Sequence, residues 1–190
     1  MNRMAWIAAL ALPLAAQTVD AVAHLERTRK MFQEEIAGLS EAQWKFKPAP
    51  ERWSVAECAE HITESEDFLR GLAEKNAKAS AGAETSQVPD AKVVATVTDR
   101  SAKFKAPEPL VPSGRFASRE DVAREFDARR ARTVELVRSH PEAELRKRVR
   151  PNPALGAVDA YQFFLFLSGH TERHILQMRE VKADPGFPKK

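Results

Sequence analysis

The sequence contains few of the residues that disulfide-bonded, sheet-rich or nucleic-acid-binding proteins need. It has one cysteine, Cys58, so no disulfide can form within the chain. Seven glycines and one tyrosine, beside many Ala, Leu, Glu and Arg residues, favour helices over sheets. The net charge of +3 is far from the basic excess of a nucleic-acid-binding protein. We therefore expect a helical protein without a nucleic-acid partner.

The chain also lacks an apolar run long enough to cross a bilayer, which needs about 20 residues. Its N-terminal apolar stretch, residues 4–16, follows Arg3 and ends in small residues, the pattern of a secretory signal. The sequence thus predicts a signal peptide over residues 1–16, export to the periplasm or the extracellular space, and no membrane insertion after its removal. The alternative is a cytoplasmic protein in which these residues begin the first helix.

Four segments repeat apolar residues at spacings of three and four, which predicts four helices. They are residues 18–39, 54–77, 118–139 and 159–182. A chain of 190 residues suits one domain. Helices of roughly 20 residues, each about 30 Å long, predict an all-α, antiparallel four-helix bundle. It would cover residues 17–184 and leave residues 185–190 as a C-terminal tail.

The connections differ in length and composition. Residues 78–117, between the second and third helices, are rich in Ala, Ser, Lys and Pro. We expect a long loop there, with a short helix or extended piece near residues 90–100. Loops of this length in a compact domain are often lids or binding loops. Residues 40–53 and 140–157 form the two shorter connections.

Charges of both signs alternate along the third predicted helix, from Arg119 to Arg130. This pattern indicates a solvated helix face with many ion pairs rather than a nucleic-acid surface. At the second helix, Ser54 followed by Glu57 predicts a capping box that begins the helix.

A pair of histidines stands out on the fourth helix. His170 and His174 are four residues apart, so their imidazoles lie on one face, among apolar residues. His61 lies on the second helix, beside the face that carries Cys58, Ile62 and Ser65. A third ligand from a facing helix is a common way to build a metal site in a bundle. Three neutral imidazoles would leave positions for water or substrate. The alternative is that these are core histidines satisfied by hydrogen bonds, whereas His24 and His140 show no ligand pattern.

Three motifs accompany these histidines. Trp53-Ser54 begins the second helix, His61 follows that tryptophan by eight residues, and residues 170–177 read HxxxHxxQ. Together they resemble the DinB/YfiT-like superfamily, and the resemblance extends over about residues 20–182. It implies a four-helix bundle that holds one divalent metal ion on His61, His170 and His174.

The resemblance implies several activities on small-molecule substrates. Similar proteins include thiol-dependent transferases that use bacillithiol or mycothiol, a mycothiol-dependent maleylpyruvate isomerase, and proteins described as metal-dependent hydrolases. Export would separate this chain from the cytosolic thiols and favours a hydrolase, or an exported metal- or ligand-binding bundle without catalysis. Zinc or nickel is the expected ion, although iron and manganese also accept imidazole. The sequence leaves open whether the protein forms a homodimer.

Few side chains are candidates for a supporting role in catalysis. Glu57 lies one turn before His61 and is the candidate catalytic carboxylate, able to orient an imidazole or move a proton. Its other role is in the capping box with Ser54. Glu64 is expected to be a solvated carboxylate. Gln177 is placed to hydrogen-bond a ligand or to satisfy a polar gap.

Overall fold

Residues 18–82 and 84–189 are the part of the chain that the computed structural model describes. Their elements are, in chain order, α1 (Ala21–Ile36), α2 (Glu41–Lys45), α3 (Val55–Ala77), α4 (Asp90–Thr98), a 3-10 turn (Glu108–Leu110), α5 (Arg119–Arg138), α6 (Glu142–Arg146), β1 (Val149–Asn152), β2 (Gly156–Asp159) and α7 (Ala160–Lys182). The predicted signal peptide, residues 1–16, lies outside the described residues. Among the helices above, none combines the length and apolar composition that a bilayer crossing requires.

The four long helices form the predicted bundle. α1 packs against α5 and α7, and α3 packs against the same two helices. At one end of the core lie the first turns of α1 and α7 and the last turns of α3 and α5. At the other end lie the last turns of α1 and α7 and the first turns of α3 and α5. Hence α1 and α7 run in one direction and α3 and α5 in the other. The predicted four-helix bundle is confirmed, with α1/α5 and α3/α7 as its antiparallel neighbours.

The parallel course of α3 and α5 explains the long connection between them. The chain must return along the length of the bundle before α5 can begin, and residues 78–118, here called the crossover, make that return. The helical alternative predicted near residues 90–100 is observed as α4, which packs on α7. Gly169 of α7 permits the close approach, because a Cβ there would lie 3.3 Å from the Val97 side chain.

The helix starts follow local capping signals. The predicted capping box of α3 is present, with Glu57 N–H donating to Ser54 Oγ and Ser54 N–H donating to the Glu57 carboxylate. A similar box of Asp159 and Gln162 begins α7. α1 begins after Asp20, which caps it, rather than at Thr18.

The connection of residues 140–157 is more ordered than the sequence predicts. It contains the short helix α6, and β1 pairs antiparallel with β2, which ends at the start of α7. Gly156 has a φ of +83° at the turn, a conformation that favours glycine. The two strands add a small hairpin to an otherwise helical fold.

A polar layer separates the apolar core into two clusters. Its members, one or two from each long helix, are Thr28, Glu66, Arg130, Thr133 and Thr171. Arg130 has no exposed surface, so the interpretation of this arginine as part of a solvated face was wrong. An alternating charge pattern does not reveal which member turns inward, because a buried partner on another helix is invisible in the local sequence.

Candidate metal centre

The three histidines predicted as ligands come together between α3 and α7. His61 extends from α3, and His170 and His174 extend from successive turns of α7. One ring nitrogen from each lies within 4.8 Å of the others. The Nε2 atoms of His61 and His170 are 3.3 Å apart. Metal–imidazole bonds of about 2.0–2.1 Å at tetrahedral angles separate two ligand nitrogens by about 3.4 Å, so the spacing fits one shared ion.

Hydrogen bonds orient two of the three rings. His61 Nδ1 lies 2.8 Å from the backbone oxygen of Leu110, to which it donates. His174 Nδ1 lies 2.9 Å from the side-chain oxygen of Gln177, to which it donates. Both contacts place the proton on Nδ1 and leave the Nε2 lone pair for the centre. This is the usual support of metal-binding imidazoles, where a second hydrogen bond selects the tautomer and the ring orientation.

Gln177 is itself held from the crossover. Arg100, two residues after α4, donates from Nη1 to the Gln177 side-chain oxygen at 3.4 Å. The same guanidinium makes two bonds to the Glu180 carboxylate, at 2.5 and 2.8 Å. The orientation of His174 therefore depends on a segment that is distant in sequence.

Burial keeps the cluster neutral. It lowers the pKa of His61, against a smaller opposing effect of the Leu110 carbonyl. Burial, with the neighbouring His61, lowers the pKa of His170 to about 3. Burial also holds the pKa of His174 well below its ordinary value, and the other two imidazoles add to this effect. Neutral imidazole is the form that binds a metal, so the cluster needs no proton release at neutral pH.

His24 shows what a purely structural histidine looks like in this fold. The sequence offered no partner for it, yet it is buried and both ring nitrogens contact protein groups. Its Nδ1 donates to Ser168 Oγ at 2.7 Å, and Arg27 donates to its Nε2 at 2.7 Å. In the cluster, by contrast, His61 Nε2 faces another histidine nitrogen. The alternative of a satisfied core histidine therefore describes His24 better than it describes the cluster.

Two further side chains border the centre. The Trp53 ring centroid lies 4.9 Å from that of His61 and 5.9 Å from that of His174. Ser65, one turn after His61 and fully buried, places its Oγ 3.4 Å from His61 Nε2. The Trp53 indole and the Ser65 hydroxyl thus lie beside the converging imidazole nitrogens.

The two predicted carboxylates have partners away from the imidazoles. Glu57 accepts from Lys47 Nζ at 2.8 Å with one oxygen and from the Ser54 N–H at 2.7 Å with the other. The structure thus gives Glu57 the capping role, and its catalytic role stays a prediction. Glu64 pairs with Arg129 at 3.0 Å, as expected of a helix-surface carboxylate.

Sequence reasoning missed the groups that orient the rings from the crossover. Leu110 acts through its backbone oxygen, which every residue type carries, so no side-chain pattern could reveal it. Arg100 of the crossover looks like an ordinary charge in the sequence, and so does Glu60, the buried neighbour of His61 on α3 that contacts the crossover. The Ser113-Gly114 pair, which contacts Glu60, is the one local signal, since a glycine in a loop marks a special backbone conformation.

The fold and this cluster define a helical-bundle protein with three converging imidazoles that could hold a metal ion. The model of the DinB superfamily matches residues 24–178, and the chain belongs to that superfamily. Among curated proteins, the uncharacterized protein YuaE of Bacillus subtilis strain 168 is 29% identical over 148 residues, which cover 78% of this chain and 88% of YuaE.

A solved structure has the same fold. YfiT from Bacillus subtilis superposes with a TM-score of 0.60 at 12% identity, covering 90% of this chain and 93% of YfiT. That protein is described as "a probable metal-dependent hydrolase with an unusual four-helix bundle topology". At this identity the likeness establishes the shared bundle, and the activity named there belongs to YfiT.

Proposed function

We propose that this protein binds one divalent metal ion through His61, His170 and His174 and uses it to hydrolyse a small molecule. The observation that carries the proposal is the convergence of three neutral imidazoles, two of which have their Nδ1 atoms engaged elsewhere. The description of YfiT supports the hydrolase part. Zinc and nickel are the expected ions, because both bind imidazole well.

The chain's own groups supply orientation and shielding for this chemistry. An ion bound by three imidazoles supplies Lewis acidity, which activates water as a nucleophile near neutral pH. The Leu110 carbonyl and Gln177 hold the Nδ1 atoms of His61 and His174, so that their Nε2 atoms would be free to bind the ion. Trp53 covers one side of two rings with apolar surface. Ser65 Oγ is a hydroxyl close enough to hydrogen-bond a group that approaches His61 Nε2.

No contact among the described residues of the site favours thiol transfer, which the family resemblance also implies. The predicted export separates the chain from cytosolic thiols and favours hydrolysis. A panel of ester and amide substrates beside bacillithiol- and mycothiol-dependent reactions distinguishes the two. We expect turnover in the hydrolytic panel, abolished by a chelator and restored by metal. Turnover only with a thiol would overturn the hydrolase part, and turnover with neither would favour a non-catalytic metal-binding bundle.

Elemental analysis tests the metal site directly. We expect about one divalent ion per chain in the native protein and its loss in His61→Ala and in His170→Ala, since removing one of three ligands opens the site. His140→Ala is the matched control, because His140 bonds the Leu136 carbonyl at the end of α5, away from the cluster. A wild-type protein that is metal-free and cannot be reloaded would contradict the proposal.

Export is a separate proposal that rests on residues 1–16 alone. If they are a signal peptide, intact-mass measurement of the exported protein should show a chain that begins at Gln17, after removal of the sixteen preceding residues. A chain in the exported fraction that keeps Met1 would contradict it.

A further inference from the structure

Two consecutive residues of α3, Glu60 and His61, contact the same loop of the crossover. His61 Nδ1 donates to the Leu110 carbonyl at 2.8 Å. Glu60 accepts from the backbone N–H groups of Ser113 and Gly114, at 2.7 and 2.8 Å. Residues 110–114, here called the ligand-facing loop, are therefore attached to α3 at two points, one of which orients a proposed metal ligand.

The groups around the Glu60 side chain suit a charged carboxylate. Glu60 is only 5% exposed, so its charge requires partners within the protein. Each of its two oxygens accepts one backbone N–H, and the Arg115 guanidinium lies 3.9 Å away. Gly114 has a φ of +77°, a conformation open to glycine and unfavourable for other residues. This backbone geometry presents successive N–H groups to the same carboxylate.

The Leu110 carbonyl lies three residues before this anchor. Leu110 ends a single 3-10 turn and is itself buried, while the neighbouring Val111 is 44% exposed. Without the bonds at Ser113 and Gly114, the loop would keep little backbone attachment to α3 beyond the imidazole itself. Since neutral imidazole can carry its proton on either nitrogen, the carbonyl is what selects the Nδ1–H form of His61 and frees Nε2.

We propose that Glu60 is a positioning residue of the metal centre: it fixes the ligand-facing loop so that the Leu110 carbonyl aims His61 Nε2 at the ion. This inference rests on the proposed metal function, although the orientation of His61 can also be measured without metal. Glu60 contacts no ring nitrogen, and it acts through the loop rather than on the ion or the substrate.

Glu60→Gln is the informative substitution. Its amide keeps one acceptor oxygen but sets an NH₂ group against the second backbone N–H, which breaks one of the two attachments. Glu64→Gln is the matched control, since it removes the same charge one turn later from a carboxylate that pairs with Arg129. Glu64 lies 3.8 Å from the same Arg115 guanidinium that is 3.9 Å from Glu60, so the two variants differ in the backbone N–H contacts of the loop. Gly114→Ala tests the loop side, because its Cβ meets nothing within 4 Å and the substitution strains only the backbone.

Three measurements separate positioning from loss of structure. Imidazole ¹⁵N NMR of the metal-free protein reports the tautomer of His61. Chelator competition reports the affinity for zinc, and the visible spectrum of the cobalt(II)-loaded protein reports its coordination geometry. Thermal unfolding of the metal-free variants shows that each is folded.

We expect wild type and Glu64→Gln to hold His61 in the Nδ1–H form with the same zinc affinity. Glu60→Gln should show a mixture of tautomers, a zinc affinity lower by about 10–100-fold, and an altered cobalt spectrum, and Gly114→Ala should change in the same direction by less. A folded Glu60→Gln with the wild-type tautomer, or with an affinity equal to that of Glu64→Gln, would overturn the inference. Wild-type protein that binds neither zinc nor nickel would overturn the proposed function instead, while the tautomer measurement would still decide the role of Glu60.

Discussion

Replacing Arg130 with methionine is expected to lower the free energy of unfolding by about 3–5 kcal/mol, because it leaves a buried carboxylate without its counter-charge. All five N–H donors of Arg130 are used in the polar layer. Two go to the Glu66 carboxylate at 2.9 and 2.8 Å, and the others go to the Leu25 carbonyl and the hydroxyls of Thr28 and Thr171, at 2.7–2.8 Å. Chemical denaturation measures the loss.

Two controls show whether the loss comes from the buried pair. Arg132→Met changes the same residue type two positions away, where the side chain is half exposed and pairs with Asp67, and it should cost about 1 kcal/mol or less. The double variant Arg130→Met/Glu66→Leu should recover much of the loss, since apolar residues of similar volume often replace a buried ion pair without penalty. Equal effects of Arg130→Met and Arg132→Met would contradict the network.

Metal binding is expected to raise the melting temperature by about 10 °C. A ligand that binds only the folded state at about 1,000 times its dissociation constant adds about 4 kcal/mol. For a chain of this size, 1 kcal/mol corresponds to about 2–4 °C. Calorimetry of chelator-treated protein, with and without zinc or nickel, measures the shift.

Two histidine variants test whether the shift in melting temperature comes from the proposed site. His174→Ala removes a nitrogen of the cluster and should abolish most of the shift. His140→Ala leaves the cluster intact and should keep it. A shift of equal size in both variants would show that the ion acts elsewhere on the protein and would contradict the proposed site.

The proposed metal site was only partly predictable from its residues. The four-residue spacing of His170 and His174 places both rings on one face of any helix, so local geometry was sufficient for that pair. His61 joined them through its position on a predicted helix face and through the family resemblance. Gln177, which orients His174, was a candidate in the sequence. The sequence contained no sign of the other two groups that orient the rings, because they are a backbone oxygen and an arginine from the crossover.

The polar layer, by contrast, could not be predicted from the local sequence. Arg130 was expected on a solvated face because its neighbours alternate in charge, yet acceptors from the three other long helices converge on it. Burying a guanidinium is favourable only when every donor finds an acceptor, and those acceptors lie between 41 and 105 residues away in sequence. No local pattern encodes such a set.

The sequence by itself determined the number of long helices, their main capping signals and the face that carries His170 and His174. These are properties of apolar spacing and short-range hydrogen bonds within a few residues. Only the tertiary structure decided that α3 and α5 run in the same direction, and that the crossover must therefore return along the bundle. That return brings Leu110 and Arg100 to the histidines, because contacts between distant segments depend on the packing of the whole bundle.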